Sequence, residues 1–288
     1  MDLNEKFEFR KARDFGAIIN DTFAFIRQNI AILFKALLFI TGPLLVVQGV
    51  LAGLYSSKSS LLAIGGDKTN PLGAIFSIEY LLLLLCGLVS YTFITLISVE
   101  FIGLYVERGP GKISVDDIWG AVKRDFWMIV FTNIGSFFVV FFSMLLLVIP
   151  GVYLAIVIAL VPMVRVQERT GFFASVRRSA KLVSGSWWLT LGLLFLMAII
   201  VGMMGSVLAL PSAGVTFLAV LHSIDASNHL FKGLFIITGI LQQLTSMFST
   251  AIFIAVGFHY FSQAEKKEGH GLLMKVEEIG QGKDGAHA

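Results

Sequence analysis

Hydrophobic positions along this chain are gathered into long unbroken blocks rather than spread as stripes. The first block runs from Ile30 to Tyr55, the second from Tyr80 to Tyr105, the third from Phe126 to Ile149, the fifth from Trp187 to Leu210 and the sixth from Leu234 to Phe261. Each is longer than the roughly 20 residues that a helix needs to cross a ~30 Å hydrocarbon layer, whereas a buried helix of a water-soluble fold shows apolar residues on one face only. The fourth block is shorter. Pro150-Gly151 and Arg165 enclose 13 residues, about 20 Å of helix, so this segment either crosses thinly or forms a hairpin whose tip stays inside the bilayer. The pattern predicts an all-α polytopic membrane protein, a bundle of six transmembrane helices.

Composition agrees with this reading. Of 288 residues, 56% are hydrophobic and 14% are charged, against about 25% charged in ordinary soluble domains. The segment from Met1 to Asn29 is dense in both charge signs and has no apolar core followed by small residues, so no cleavable signal peptide is expected and the first span directs insertion. The lone cysteine, Cys86, lies inside an apolar block, which excludes an intramolecular disulfide and a thiolate metal cluster. Net charge is +3 and implies no nucleic-acid partner; what matters is where the cations sit.

Lys and Arg are sharply segregated. The connections on one side of the predicted bundle carry 18 of them and the alternate connections 3 (Lys58, Lys68 and Lys232), with Lys35 inside the first span. By the positive-inside rule both termini are cytoplasmic, whether or not the Pro150 hairpin fully crosses. The expected division is therefore a cytoplasmic N-terminal segment 1–29, a transmembrane domain 30–261 and a cytoplasmic tail 262–288, disordered from Gly280 to Ala288.

Three spans are preceded by a short amphipathic stretch, and the three can be laid over one another at Asn29, Asp125 and Ser186. Ten residues earlier stand Ile19, Val115 and Val176; six earlier Phe23, Trp119 and Ala180; three earlier Ile26, Val122 and Val183. Each set marks one helix face. Such helices are expected to lie in the cytoplasmic interface and turn into the membrane near Phe126-Trp127 and Trp187-Trp188. A threefold internal repeat explains the register, and so does the generic appearance of any helix that leads into a membrane.

The run Ile149-Pro150-Gly151-Val152-Tyr153-Leu154, followed by Pro162, Glu168, Gly171, Ala174, Arg177-Arg178-Ser179, Leu182-Val183, Gly185 and Trp187-Trp188, resembles two related groups. These are the YciC-like uncharacterised bacterial membrane proteins and the membrane domain attached to some glycerophosphodiester phosphodiesterases. The resemblance covers about 40 residues and implies a compact bacterial inner-membrane protein of six spans. Phosphodiesterase activity does not transfer with it, because the soluble catalytic barrel of about 250 residues is absent.

Several residues are candidates for chemistry. Lys35 and Glu100 lie at matching shallow depths in neighbouring spans, where they either form an intramembrane ion pair or snorkel separately. Gln242, Thr245, Ser246 and Ser249, with Gln243 and Thr250 beside them, form a polar face expected to look inward and bond across helices. Gly49 and Gly53 permit close helix contact. His222, Asp225 and His229, with Ser223 adjacent, have types that a metal site or hydrolase would use, against the simpler reading of a polar outer loop. Arg165, Arg169, Arg177, Arg178 and Lys181 concentrate positive charge where lipid headgroups would lie, and also serve as topology signals.

No HExxH, Walker loop, dinucleotide fingerprint or serine elbow occurs. The expected role is a non-enzymatic scaffold, assembly factor or accessory subunit without cofactors, whose partners are membrane lipids and a protein partner or a second copy. A small transporter or channel is the alternative, and a membrane enzyme built on His222, Asp225 and His229 a third. Reporter fusions test the topology: both termini should report the cytoplasmic face, and ends on opposite faces would overturn the assignment.

Overall fold

The structure, a computed structural model, describes residues 7–64, 77–221 and 229–269. His222, Ser223, Asp225 and the tail from Gly280 to Ala288 lie outside the described residues. Ten α-helices are described: α1 Phe15–Ala36, α2 Gly42–Ile64, α3 Ile78–Arg108, α4 Val115–Leu146, α5 Val148–Ala159, α6 Val161–Glu168, α7 Phe172–Val183, α8 Trp187–Leu221, α9 His229–Leu244 and α10 Thr250–Glu268. Among the described residues there is no strand, and the helices assemble into six stretches long and apolar enough to cross a membrane. The chain is a multi-pass, all-α membrane protein.

Three of the six stretches are broken within. A π-helical turn, Leu37–Thr41, joins α1 to α2, and a 3₁₀ turn, Thr245–Ser249, joins α9 to α10. In the fourth, α5 ends at Ala159 and α6 restarts after Leu160, with Pro162 in its first turn, where its missing N–H leaves no donor unsatisfied. The whole stretch Val148–Glu168 is long enough to span. The turn falls earlier than Pro150-Gly151: one extended residue, Leu147, separates α4 from α5. The antiparallel return is tight because Gly151 lies against Met144, whose backbone a Cβ there would meet at 2.7 Å. The hairpin tip is wholly apolar and exposed, with Ile149 86% accessible, as suits a tip that meets lipid.

The amphipathic approaches also depart from expectation. α1 passes into the first span through the π turn and α4 runs unbroken from Val115 to Leu146, so neither is a separate interfacial helix. Only α7 is separate, cut off by a turn at Gly185, whose φ of 79° is one that a residue without Cβ adopts freely. The matched register nevertheless describes burial. Seven residues before the alignment points stand Thr22, Ile118 and Ser179, and four before them Phe25, Ala121 and Leu182, all buried. Phe23 and Trp119 are both partly exposed, so the packed face lies slightly around the helix from the face predicted.

α10 is the centre of the charged end of the bundle. It packs on α1, α3, α6, α7 and α8 and is buried nearly all round from Thr250 to Gln263. The segment before α1 folds under it: Phe9 stacks on Phe258 with ring centroids 4.5 Å apart, and Phe25, Tyr105 and Phe261 close the cluster. Arg13 holds this segment in place. Its Nε donates to Asp21 at 2.6 Å, its Nη1 to the Phe9 carbonyl at 2.9 Å, and its guanidinium lies 4.9 Å from the centre of the Phe258 ring. Elsewhere in the bundle α2 and α9 pack backbone against backbone. A Cβ on Gly239 would fall 2.5 Å from the Gly49 carbonyl oxygen and 3.0 Å from the Gly53 nitrogen. Small residues allow such contact where lipid offers no hydrophobic drive for helices to associate.

This crossing yields a direct test. Gly239→Ala should cost about 1 to 3 kcal/mol, the range for overpacking, while Gly233→Ala, whose Cβ meets nothing within 4 Å, should leave thermal unfolding in detergent unchanged.

Candidate functional site

At the charged end α3, α4 and the turn after α6 bring four ionisable side chains into one layer. Asp125 accepts from Arg169 at 2.5 Å and from Arg124 at 3.2 Å. Glu100 lies beside them, 3.5 Å from Arg124 and 4.0 Å from Arg169. The carboxylates are buried, with 5% and 7% of their side-chain surface exposed, while Arg124 and Arg169 reach outward. Arg169 is positioned by its own backbone. As the C-cap of α6 it adopts a left-handed conformation, φ 51°, which turns its side chain back toward α4.

The predicted pairing of Lys35 with Glu100 is not formed. Lys35 is exposed, and Glu100 faces α4 instead, within ion-pair distance of Arg124 and Arg169 while its Oε1 accepts no hydrogen bond. Asp125 was legible only as an alignment point. Its equivalent Asn29 is buried too, donating to the Phe25 carbonyl at 2.9 Å, so the shared position marks where each approach helix turns a polar group inward.

The basic cluster divides three ways. Arg178 bridges α6 and α10, donating to Glu168 at 2.8 Å and gripping Glu268 with both terminal nitrogens; the Glu268 carboxylate holds its pKa above the usual guanidinium range. Tyr260 donates to the same Glu168 oxygen at 2.8 Å. Arg169 is committed to the charged layer just described. Arg177 and Lys181 alone of the five are exposed on α7, free of the internal contacts that hold the others.

Arg165 is the exception. It lies one turn beyond Pro162, donates to Thr132 Oγ1 at 2.7 Å and more weakly to the Met128 carbonyl at 3.5 Å, and meets no carboxylate among the described residues. Next to it, Asn133 donates to Thr92 Oγ1 at 3.0 Å, and the buried hydroxyl of Ser136 has no partner. Of these residues Asn133 and Ser136, with Pro162, line a groove of about 490 Å³ walled by α3, α4, α5, α6 and α10; Arg165 itself does not line it. Its walls are apolar, including Phe137, Phe141, Met144, Ile158 and Phe253. The α4 wall opens outward, for Phe137 and Phe141 are exposed.

The polar stretch of the sixth span is half-buried, with Thr245 against Gly205 of α8, but its hydroxyls make no bonds across helices. Its residues fall at the junction of α9 with the 3₁₀ turn, and the hydroxyls bond to their own chain: Thr245 to the Gln242 carbonyl at 2.6 Å, Ser246 to Gln243 at 2.7 Å and Ser249 to Ser246 at 2.5 Å. Gln242 is exposed. The tightening of the helix leaves carbonyls within reach of hydroxyls three residues on, and local bonds form in place of bonds across helices. His229 opens α9 and is exposed, and no cluster of three metal-ligating side chains occurs among the described residues. The aromatic cluster and Arg13 escaped the sequence reading, because pairing Phe9 with Phe258 requires contact across almost the whole chain.

Comparison of the chain with protein families, curated proteins and solved structures gives no match. The site is therefore read from its own geometry. Lys35→Ala should stay within about 0.5 kcal/mol of wild type, as exposed substitutions do. Asp125→Ala, which strips Arg169 of its carboxylate, should cost about 1 to 3 kcal/mol. Thermal melting in detergent measures both, and equal losses would return Lys35 to the ion network.

Proposed function

We propose that this is a non-catalytic protein of the bacterial cytoplasmic membrane, both ends cytoplasmic, that acts through lipid and protein contacts as a scaffold, assembly factor or accessory subunit. The observation that carries the reading is the outer face of α7. Phe173, Arg177 and Lys181 follow one another at helical spacing on its exposed side, and exposed Trp188 continues beyond the Gly185 turn. The opposite side of the helix, Ser175, Ser179, Leu182 and Val183, is buried in the bundle. A basic and aromatic stripe on a fixed helix at the membrane boundary suits anionic headgroups or the acidic surface of a partner. Segregation of Lys and Arg to this end supports the cytoplasmic assignment, and the pattern from Ile149 to Trp188 supports the bacterial one.

Transport is the second reading. It draws on the breaks at Leu37–Thr41, Leu160 and Thr245–Ser249, since discontinuous spans often line substrate paths, and on buried Glu100, whose Oε1 makes no hydrogen bond.

A photocrosslinker placed at Phe173 in native membranes separates the two. The scaffold reading expects a discrete crosslinked product that Arg177→Glu with Lys181→Glu abolishes, and no solute flux through the pure protein in liposomes. Flux catalysed by the pure protein would overturn it.

A further inference from the structure

Two carboxyl groups share the charged layer, and the donors there serve only one of them. Three guanidinium N–H groups converge on Asp125, from Arg169 Nη1 at 2.5 Å and from Arg124 Nη2 and Nε at 3.2 and 3.3 Å, and all three bond Oδ2. Glu100 receives none. Arg124 and Arg169 stand off from it at 3.5 and 4.0 Å, and its Oε1 is buried without a hydrogen bond. With 5% of the side chain exposed, solvent does not reach that oxygen either. An ionised carboxylate left in this state keeps the full cost of its lost hydration.

The neighbour of Glu100 makes matters worse for an ion. Glu100 and Asp125 lie in side-chain hydrogen-bonding contact, yet two carboxylates offer only acceptors and repel each other. One proton removes both difficulties, because it turns an acceptor into an O–H donor and cancels one of two like charges; carboxyls held together elsewhere share a single proton for this reason. Asp125 is the natural anion of the two, since the guanidinium bonds stabilise its charge. Glu100 is then the acid. Facing Glu100 are Asp125 and Arg124 of α4 and Arg169 beyond α6. The other elements packed on α3 use their ionisable groups differently: Lys35 of α1 is exposed, Tyr55 of α2 meets Tyr80, Arg165 and Glu168 of α6 bond Thr132 and Arg178, and His259 and Tyr260 of α10 bond Thr190 and Glu168.

We propose that Glu100 and Asp125 form a proton-binding pair, in which Glu100 is a carboxylic acid at neutral pH that donates to the Asp125 carboxylate and latches α3 to α4. The proton comes from the aqueous side, onto which Arg124 and Arg169 open with 60% and 46% of their side chains exposed. Raising the pH returns it to water, and the second negative charge then drives Glu100 and Asp125 apart. The folded chain holds this proton more tightly than the unfolded chain does, so stability is lost as the pH rises through the point of release.

Infrared spectroscopy of the full-length protein in an alkyl maltoside, which has no carbonyl of its own, tests this. Wild type at neutral pH should show the carbonyl band of a protonated carboxylic acid, moved to lower frequency in D2O, where the carbonyl of a lipid ester would stay. The band should be missing from Glu100→Gln and should be lost from wild type at alkaline pH. Thermal melting is the second readout. The wild-type melting temperature should fall between about pH 7 and 9, the range in which buried carboxyls release their protons. Glu100→Gln, which keeps an uncharged donor in place, should match wild type at neutral pH and lose most of that fall. Absence of a D2O-sensitive acid band from wild type at neutral pH would overturn the proposal even if the variant failed to fold. So would a band that persists in Glu100→Gln, or equal falls of melting temperature in the two proteins.

Discussion

Charge at membrane depth must be met inside the protein, and this constraint organises the charged end of the bundle. Water there cannot solvate every ion, so side chains do. Asp125 pairs with its α4 neighbour Arg124 and draws Arg169 onto α4, and Glu100 from α3 closes the same layer, tying two spans and the turn after α6 together. Arg178 does the equivalent for α6, α7 and α10 through Glu168 and Glu268. Even the unusual backbone of Arg169 serves it: a left-handed residue costs energy that a plain helix end would avoid, and here it aims the guanidinium at Asp125.

The apolar interactions divide by what surrounds them. Within hydrocarbon, a leucine against a helix and a leucine against lipid differ little, so helices associate through close fit. The α2 and α9 crossing is built that way, with Gly49, Gly53 and Gly239 bringing backbones into contact. Where the chain leaves the bilayer, water is again the alternative and burial of apolar surface regains its full strength. The segment before α1 uses it, seating Phe9 on Phe258 under the end of α10 while Arg13 caps the exposed carbonyls around it. Two different driving forces thus hold the two halves of one bundle.

These forces explain which parts of the molecule remain free. Ionic and aromatic contacts consume most functional groups at the charged end, which leaves the outer face of α7 with its two unbound cations. Deeper in, satisfaction is incomplete: Arg165 meets only neutral oxygens among the described residues, and the buried Oε1 of Glu100 and hydroxyl of Ser136 have no partner. Outward cations suit a surface or a partner.

The hydrophobic blocks by themselves determined the all-α class and five of the spans, because block length against bilayer thickness is a local property of the chain; the fourth, left open between a thin crossing and a hairpin, is long enough to span only because its helix runs from Val148 to Glu168. Register along the approach helices was legible only in part: of the predicted face Val122 and Val183 are buried, but Phe23 and Trp119 are exposed, and the packed face runs through Phe25, Ala121 and Leu182 instead. Partner choice was not legible. Lys35 and Glu100 match in depth, yet depth says nothing of the direction each side chain takes around its helix, and rotation sends Glu100 to Arg124 and Lys35 outward. The hydroxyls of Thr245, Ser246 and Ser249 look inward on an ideal helix, and a 3₁₀ turn that periodicity cannot foresee redirects them to their own backbone. Among five neighbouring cations, sequence marks a single basic patch; only tertiary structure decides that Arg169 and Arg178 are spent on carboxylates, Arg177 and Lys181 left outside, and Arg165 left without an anion, because ion pairing depends on which helices meet and not on which residues are adjacent.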